Sequence, residues 1–356
     1  MIVNKRKPSH YRPMLKHLTL KCLIPLTLMS GSTLINSVFA HHGTVVSRPN
    51  SPTLNQSSFG RQRALDWIIA STASFSQWHS QSPSDSIYSE LDLGTLQMYQ
   101  ISLSLSYHFT DQLKSTLNLP FSLLIPSTTA SSSADQPTQN QSIYGLGDLS
   151  FNVDYALAQS KSSASQSTAR DWEYSWRFSV GTLVPSGAYR RETILTDSQL
   201  NASTDGSIEL SSFSSQTSLG ADVWQLLVGS SFSVKLSPLW SSFTQIEMNL
   251  PLENTRDGIQ WGADINLRSV QNYTLTNRLA LFSGVLLQLH QPDQIAVAEG
   301  SKQMVNIGGY QQLFIPFGLE AQLKPTRRCR LQFDLPVWQN IRVPQLLKTF
   351  GLSIGC

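Results

Sequence analysis

Between Gln97 and Ile125 the chain alternates with period two. Tyr99, Ile101, Leu103, Leu105, Tyr107 and Phe109 interleave with Gln100, Ser102, Ser104, Ser106 and His108. After Thr110-Asp111-Gln112 the pattern resumes, with Leu113, Leu117, Leu119, Phe121, Leu123 and Ile125 against Lys114, Thr116, Asn118 and Ser122. In a strand this puts apolar side chains on one face and small polar ones on the other. Each run is about twice the length of a soluble strand and suits a tilted strand crossing a bilayer, about 9–11 residues. One greasy face, one wet face and a tight turn make the repeat unit of an outer-membrane β-barrel.

The same reading extends along the chain. Expected strands are 64–79, 95–109, 113–125, 145–158, 172–184, 217–234, 239–250, 258–270, 277–290, 303–323, 328–340 and 345–356. The fold class is therefore all-β, a transmembrane antiparallel up-and-down barrel of twelve strands. An even number places both termini on the periplasmic side. The turns 110–112, 236–238, 271–276 and 324–327 are short and periplasmic; the connections 126–144, 185–216 and 291–302 are long and outward. The connection 159–171 is long for a periplasmic turn. The first strand alternates poorly. Residues 277–290 are apolar on both faces at Leu286 and Leu287, which admits a helix, although Gly284 argues against one. Aromatics gather at strand ends: Tyr107, Phe109, Tyr155, Trp172, Tyr174, Phe232 and Trp240 near the periplasmic interface, and Tyr99, Trp224 and Trp261 near the outer one, as interfacial girdles do.

Composition agrees. Charged residues are 14% of the 356 and hydrophobic ones 40%, and the later chain holds no apolar run of the roughly 18 residues that a spanning helix needs. Residues 1–40 carry Lys5, Arg6, Lys7, Arg12, Lys16 and Lys21 and no acid, then an apolar run at Leu23–Leu28 and Val38-Phe39-Ala40. They read as a secretory signal peptide cut after Ala40. Its removal turns a formal charge of +3 into about −3, since 20 basic residues then face 23 acidic ones, and leaves no case for a nucleic-acid partner. Residues 41–63 read as a disordered periplasmic lead-in, and 64–356 as the barrel. His41 and His42 would open the mature chain; such a start can hold copper or nickel, but a cleavage-site flank explains it without a metal.

Gly145-Leu146-Gly147-Asp148 before an alternating strand, the turn Tyr107-x-Phe109-Thr110-Asp111, the strand end Leu119-Pro120 and Val184-Pro185-Ser186-Gly187 together resemble the outer-membrane barrels labelled as the MetA pathway of phenol degradation. The resemblance covers most of the mature chain. It departs where the family has Pro-Thr-Gly, and at Cys356, where the family ends in an aromatic residue read by the insertion machinery. It implies a transporter-like protein without catalytic residues.

Candidate chemistry is sparse. The Gly145–Asp148 motif is either an anion-holding nest of amides or a loop-to-strand transition with glycines at positive φ. His79, His108 and His290 are scattered, Asp92 and Asp257 fit no protease pattern, and no zinc, phosphate-loop or dinucleotide motif occurs. No enzyme and no cofactor are expected. Parity places Lys114, Asp154, Glu173, Arg177, Glu247, Asp264, Arg268, Glu320 and Asp334 toward the lumen, because ionisable groups are costly against lipid. They either line a pore, which the excess of acids would lean toward cations, or pair and close it; both remain open. Cys329 and Cys356 fall on one face at the periplasmic ends of neighbouring strands, a position that predicts a disulfide. The expected function is passive passage of a small, hydrophobic or aromatic solute across the outer membrane of a Gram-negative bacterium. The alternative is a closed structural or binding barrel acting through its outer loops. The expected partners are the lipid bilayer, the barrel-assembly machinery and a small-molecule solute.

Overall fold

The computed structural model describes residues 67–81, 95–127, 142–159, 173–187, 219–256, 258–296, 304–307, 309–324, 327–341 and 345–356. The signal-peptide and lead-in assignments, Asp92, Asp257, Trp172 and most of the long connections lie outside them. The strands are β1 (Trp67–Gln81), β2 (Thr95–His108), β3 (Leu113–Ser127), β4 (Ile143–Leu146), β5 (Leu149–Gln159), β6 (Glu173–Val184), β7 (Gln225–Lys235), β8 (Trp240–Pro251), β9 (Asp264–Thr276), β10 (Leu279–His290), β11 (Asp293–Ala296), β12 (Met304–Ile307), β13 (Tyr310–Lys324), β14 (Arg327–Ile341) and β15 (Gln345–Gly355).

All strands but β11 and β12 form one antiparallel sheet. It closes because β1 pairs with both β2 and β15. The pieces β4 and β5 lie along β3 as one interrupted strand, so the barrel has twelve staves. The strands β11 and β12 form a separate hairpin. No helix among the described residues is long and apolar enough to cross a membrane; this barrel crosses with strands.

Side-chain alternation drives closure. On β2, Ile101 and Leu103 point outward and are exposed, while Ser102, Ser104, Ser106 and His108 are buried inside. Three of the short turns share one device. The hydroxyls of Thr110, Ser237 and Thr276 each accept the N–H groups two and three residues on, a side-chain turn that short connections favour. At the interface Tyr107 packs on Trp67 and Phe109, and Tyr174 on Phe232.

Three strand assignments differ from the sequence pattern by more than a few residues. Strand β7 starts at Gln225, not 217, because Leu219, Ala221 and Val223 are drawn into buried apolar clusters. Strand β9 runs 264–276 rather than 258–270, and its turn is Asn277–Arg278. Ile259 and Trp261 are buried in one of those clusters, so Trp261 is no interfacial girdle residue. The expected strand 303–323 is broken by Gly309, at φ 93°, into the hairpin strand β12 and the barrel strand β13. Residues 279–290 are a strand, not a helix: Leu286 faces in, paired across from Phe314.

Candidate functional site: the lumen and its outer mouth

One side of the lumen is built from small polar residues. Ser104 donates to Asn118, whose amide donates to Ser150 at 3.1 Å. Ser106 lies 3.0 Å from Thr116, and Gln100 donates to Ser122 at 3.1 Å. Ser104, Ser106 and Thr116 border a cavity that opens to solvent. Its charged lining is Lys114, Asp154, Arg177 and Glu247. Lys114 pairs with Asp154 at 2.9 Å, and Gln245 donates to Glu247 at 2.6 Å.

The opposite side, from β9 to β15, is filled. Phe282, Leu286, Phe314 and Leu347 are buried inside. The Arg330 guanidinium carbon sits 3.5 Å from the Phe282 ring centroid, and Lys348 lies over Phe314. Lys348 pairs with Asp334 at 2.9 Å, Gln332 bridges Asp334 and Arg268, and Arg328 pairs with Glu320 at 3.0 Å. Asp264 meets His290 at 2.7 Å, and His290 lies 3.3 Å from Asp293.

Of the nine sequence candidates, Lys114, Asp154, Arg177 and Glu247 thus meet at the cavity, and Asp264, Arg268, Glu320 and Asp334 belong to the filled side. Glu173 starts β6, but its side chain lies outside the described residues. Reasoning from parity passed over Arg328, Arg330 and Lys348, which share a face with Asp334 or cross from it. Their inclusion removes the excess of acids on which a lean toward cations rested. The signal was present: Arg328 and Arg330 hold the same parity as Asp334 on β14.

The outer end is apolar inside. Trp78, Leu96, Met98 and Leu124 occupy the inward parity of β1, β2 and β3, where serines stand lower down, and Leu219 packs on them. Ala221 and Val223 pack with Ile259 and Trp261. Residues 219–223 therefore form a strap linking two apolar clusters across the mouth. The Asp148 carboxylate holds it, accepting the N–H of Gly187 at 2.8 Å and of Ala221 at 2.7 Å. Burial pushes the Asp148 carboxyl above its usual range, against the pull of these amides. A Cβ at Gly220 would stand 2.6 Å from Asp148 Oδ1, so only glycine admits the close approach. At the far end Asp222, at φ 59°, accepts the Arg256 N–H and pairs with its side chain at 3.0 Å. In the Gly145–Asp148 motif, then, the amides come to the aspartate, which is a structural latch rather than an anion nest. Gly145 has φ 154° and Gly147 does not have a positive φ.

Cys329 and Cys356 are joined, with their Cα atoms 4.1 Å apart. Cys356 also exchanges backbone hydrogen bonds with Ser71 of β1, at the seam where the barrel closes.

The class defined by this architecture is the outer-membrane β-barrel. No protein-family model matches the chain, and no curated protein does. Among solved structures, the chain is similar to an outer-membrane channel from Pseudomonas putida F1, at 12% identity and TM-score 0.61, over 84% of this chain and 97% of that one. At that identity the likeness shows the fold alone. Looser likenesses are the translocator domain of the autotransporter NalP from Neisseria meningitidis, at 8% identity and TM-score 0.38 over 85% and 91% of the chains, and the toluene transporter TodX of Pseudomonas putida, at 9% and 0.35 over 90% and 94%.

Proposed function

We propose that the protein is a passive channel of the bacterial outer membrane, inserted by the barrel-assembly machinery after loss of its signal peptide, for a small solute with apolar character. The carrying observation is the lumen itself: an apolar collar at the outer mouth above a polar cavity that opens to solvent. A collar of Trp78, Leu96, Met98 and Leu124 favours solutes that shed water readily; the hydroxyl-lined cavity below it returns them to a polar path. Membership of the phenol-degradation family is the finer proposal, carried by the motifs Gly145–Asp148 and Val184–Gly187. No catalytic constellation among the described residues competes with this reading. The lumen-lining role of Lys114, Asp154, Glu173, Arg177, Glu247, Asp264, Arg268, Glu320 and Asp334 is part of it.

Planar-bilayer recording and uptake of neutral aromatic solutes by liposomes containing the folded barrel test the proposal. Conductance and uptake above protein-free liposomes are expected. Neither, from protein that shows the heat-dependent gel shift of a folded barrel, would sink it. The pairing of Lys348–Asp334, Arg328–Glu320 and His290–Asp264 favours the second reading, a closed barrel acting through its outer loops, in this one respect: those charges are committed to each other. Deletion of loop residues 188–216 separates the two, abolishing function in the closed barrel and sparing it in the channel.

A further inference from the structure

The open side of the lumen carries a cation that makes no hydrogen bond or ion pair with the described residues, although the Asp154 carboxylate acts on it through space. It is Arg177, which lines the cavity. Its neighbours are already engaged: Asp154 is held by Lys114 at 2.9 Å, and Glu247 accepts a hydrogen bond from Gln245 at 2.6 Å. On the filled side, by contrast, Lys348 and Arg328 each have a carboxylate within 3.0 Å.

We propose that Arg177 is the docking point for a single carboxylate, and that the solute of this channel is a compact amphipathic monoanion. The inference rests on the channel reading above and deepens it. A guanidinium presents paired N–H donors in the geometry of a carboxylate, so a carboxylate can take two parallel hydrogen bonds from it. A half-buried cation without a hydrogen-bonded anion is incompletely solvated, and an anion that bonds to it directly relieves that cost. Asp154 and Glu247 border the same cavity, so a second negative charge on the solute meets repulsion. A cationic solute meets Arg177 and Lys114. The collar of Trp78, Leu96, Met98 and Leu124 lies above this cavity, so a solute that passes both needs an apolar body as well as its one charge.

The test is equilibrium binding to the mature barrel folded in detergent at low salt, where screening is weak. The probes are benzoate, the neutral benzyl alcohol, the cation benzylamine and the dianion phthalate. Benzoate should bind at least tenfold more tightly than the other three. R177Q should bring benzoate down to the level of benzyl alcohol, and R177K should retain part of the preference. The gel shift confirms that each variant is folded. Equal binding of benzoate and benzyl alcohol, or an R177Q barrel that keeps its benzoate affinity, overturns the inference. Bilayer conductance is read separately. A conducting barrel without a preference for benzoate sinks the carboxylate site and spares the channel. Binding lost in R177Q, in a barrel that never conducts, spares the site and sinks the channel.

Discussion

The two sides of the lumen are made by the same alternation and do opposite things. From β2 to β5 most inward residues are short, among them Ser102, Ser104, Ser106, Asn118, Ser122 and Ser150, and a cavity remains beside them. From β9 to β15 they are Arg268, Phe282, Leu286, Phe314, Asp334, Leu347 and Lys348, which meet and fill the interior. Inward polarity alone does not make a pore; side-chain size decides. Where side chains are long, charges reach partners and close the space. Where they are short, an arginine such as Arg177 stays available. Gly351 shows the packing on the filled side, for a Cβ there would lie 2.5 Å from the Lys348 ammonium.

Breaking the filled side should have the largest effect on stability. The Lys348 and Asp334 side chains are 9% and 5% exposed. Asp334→Ala leaves Lys348 charged and buried, a loss of about 3–5 kcal/mol, measured by urea unfolding in lipid vesicles. The double variant Asp334→Leu with Lys348→Met should recover most of it, because a buried pair replaced by apolar groups is often neutral. A single variant as stable as wild type would mean that the filled side is hydrated and no different from the open one.

The disulfide comes next. It closes a loop with a sequence separation of 27, worth about 3–4 kcal/mol in the chain-entropy model. It clamps the β14–β15 end of the filled side and leaves the cavity untouched. Cys329→Ser with Cys356→Ser should lower the unfolding midpoint and leave conductance unchanged. Thiol labelling of the denatured mature chain, extracted without reductant, should find no free thiol; two would end this expectation.

Much of this was legible in the sequence, and what was not has physical causes. Alternation locates the staves because lipid on one side and water on the other impose it. It fails at the outer mouth, where Leu123 beside Leu124 is apolar on both faces. Leu124 answers not to lipid but to Trp78, Met98 and Leu219. The same cause misplaced Trp261: an aromatic residue near a strand end reads as a girdle, and only the strap explains why it is buried, with its indole N–H 2.7 Å from the Ala221 carbonyl. The cysteines were legible because topology alone brings their strand ends together. The split between filled and open sides was not, since it depends on which inward side chains meet across the lumen.

The strap supplies a third, smaller effect. Asp148→Ala removes the acceptor for two amides and should cost about 2–3 kcal/mol, since hydrogen bonds to charged groups contribute about 1.5–3 kcal/mol each and water at the mouth recovers part. With Leu219 released from the collar, single-channel conductance should rise severalfold. Asp148→Asn, which keeps one acceptor oxygen, should fall between. An unchanged conductance in Asp148→Ala would show that the strap does not limit passage and that the cavity alone sets the rate.

A pH dependence at the base of the β11–β12 hairpin is the last effect. Asp293 is fully buried and accepts the Gly262 N–H. Asp264 faces it from β9, His290 from β10 and Tyr310 from β13, whose ring stacks on His290. Burial is the largest influence on Asp293 and pushes it from 3.8 up to about 7, although His290 and the Gly262 amide pull the other way. A carboxyl raised on folding contributes stability that is whole below its unfolded value and is lost as pH rises through its folded value. The window therefore runs from about 4 to about 7, and stability falls across it with rising pH. Asp293→Asn cannot ionise, so its unfolding midpoint should be flatter over that range. The wild-type midpoint, plotted relative to that variant, should drop between about pH 4 and pH 8. A relative midpoint that rises instead would mean that the pair with His290 holds Asp293 ionised in the folded barrel, and that the hairpin is fastened by the same kind of committed charge pair as Lys348–Asp334.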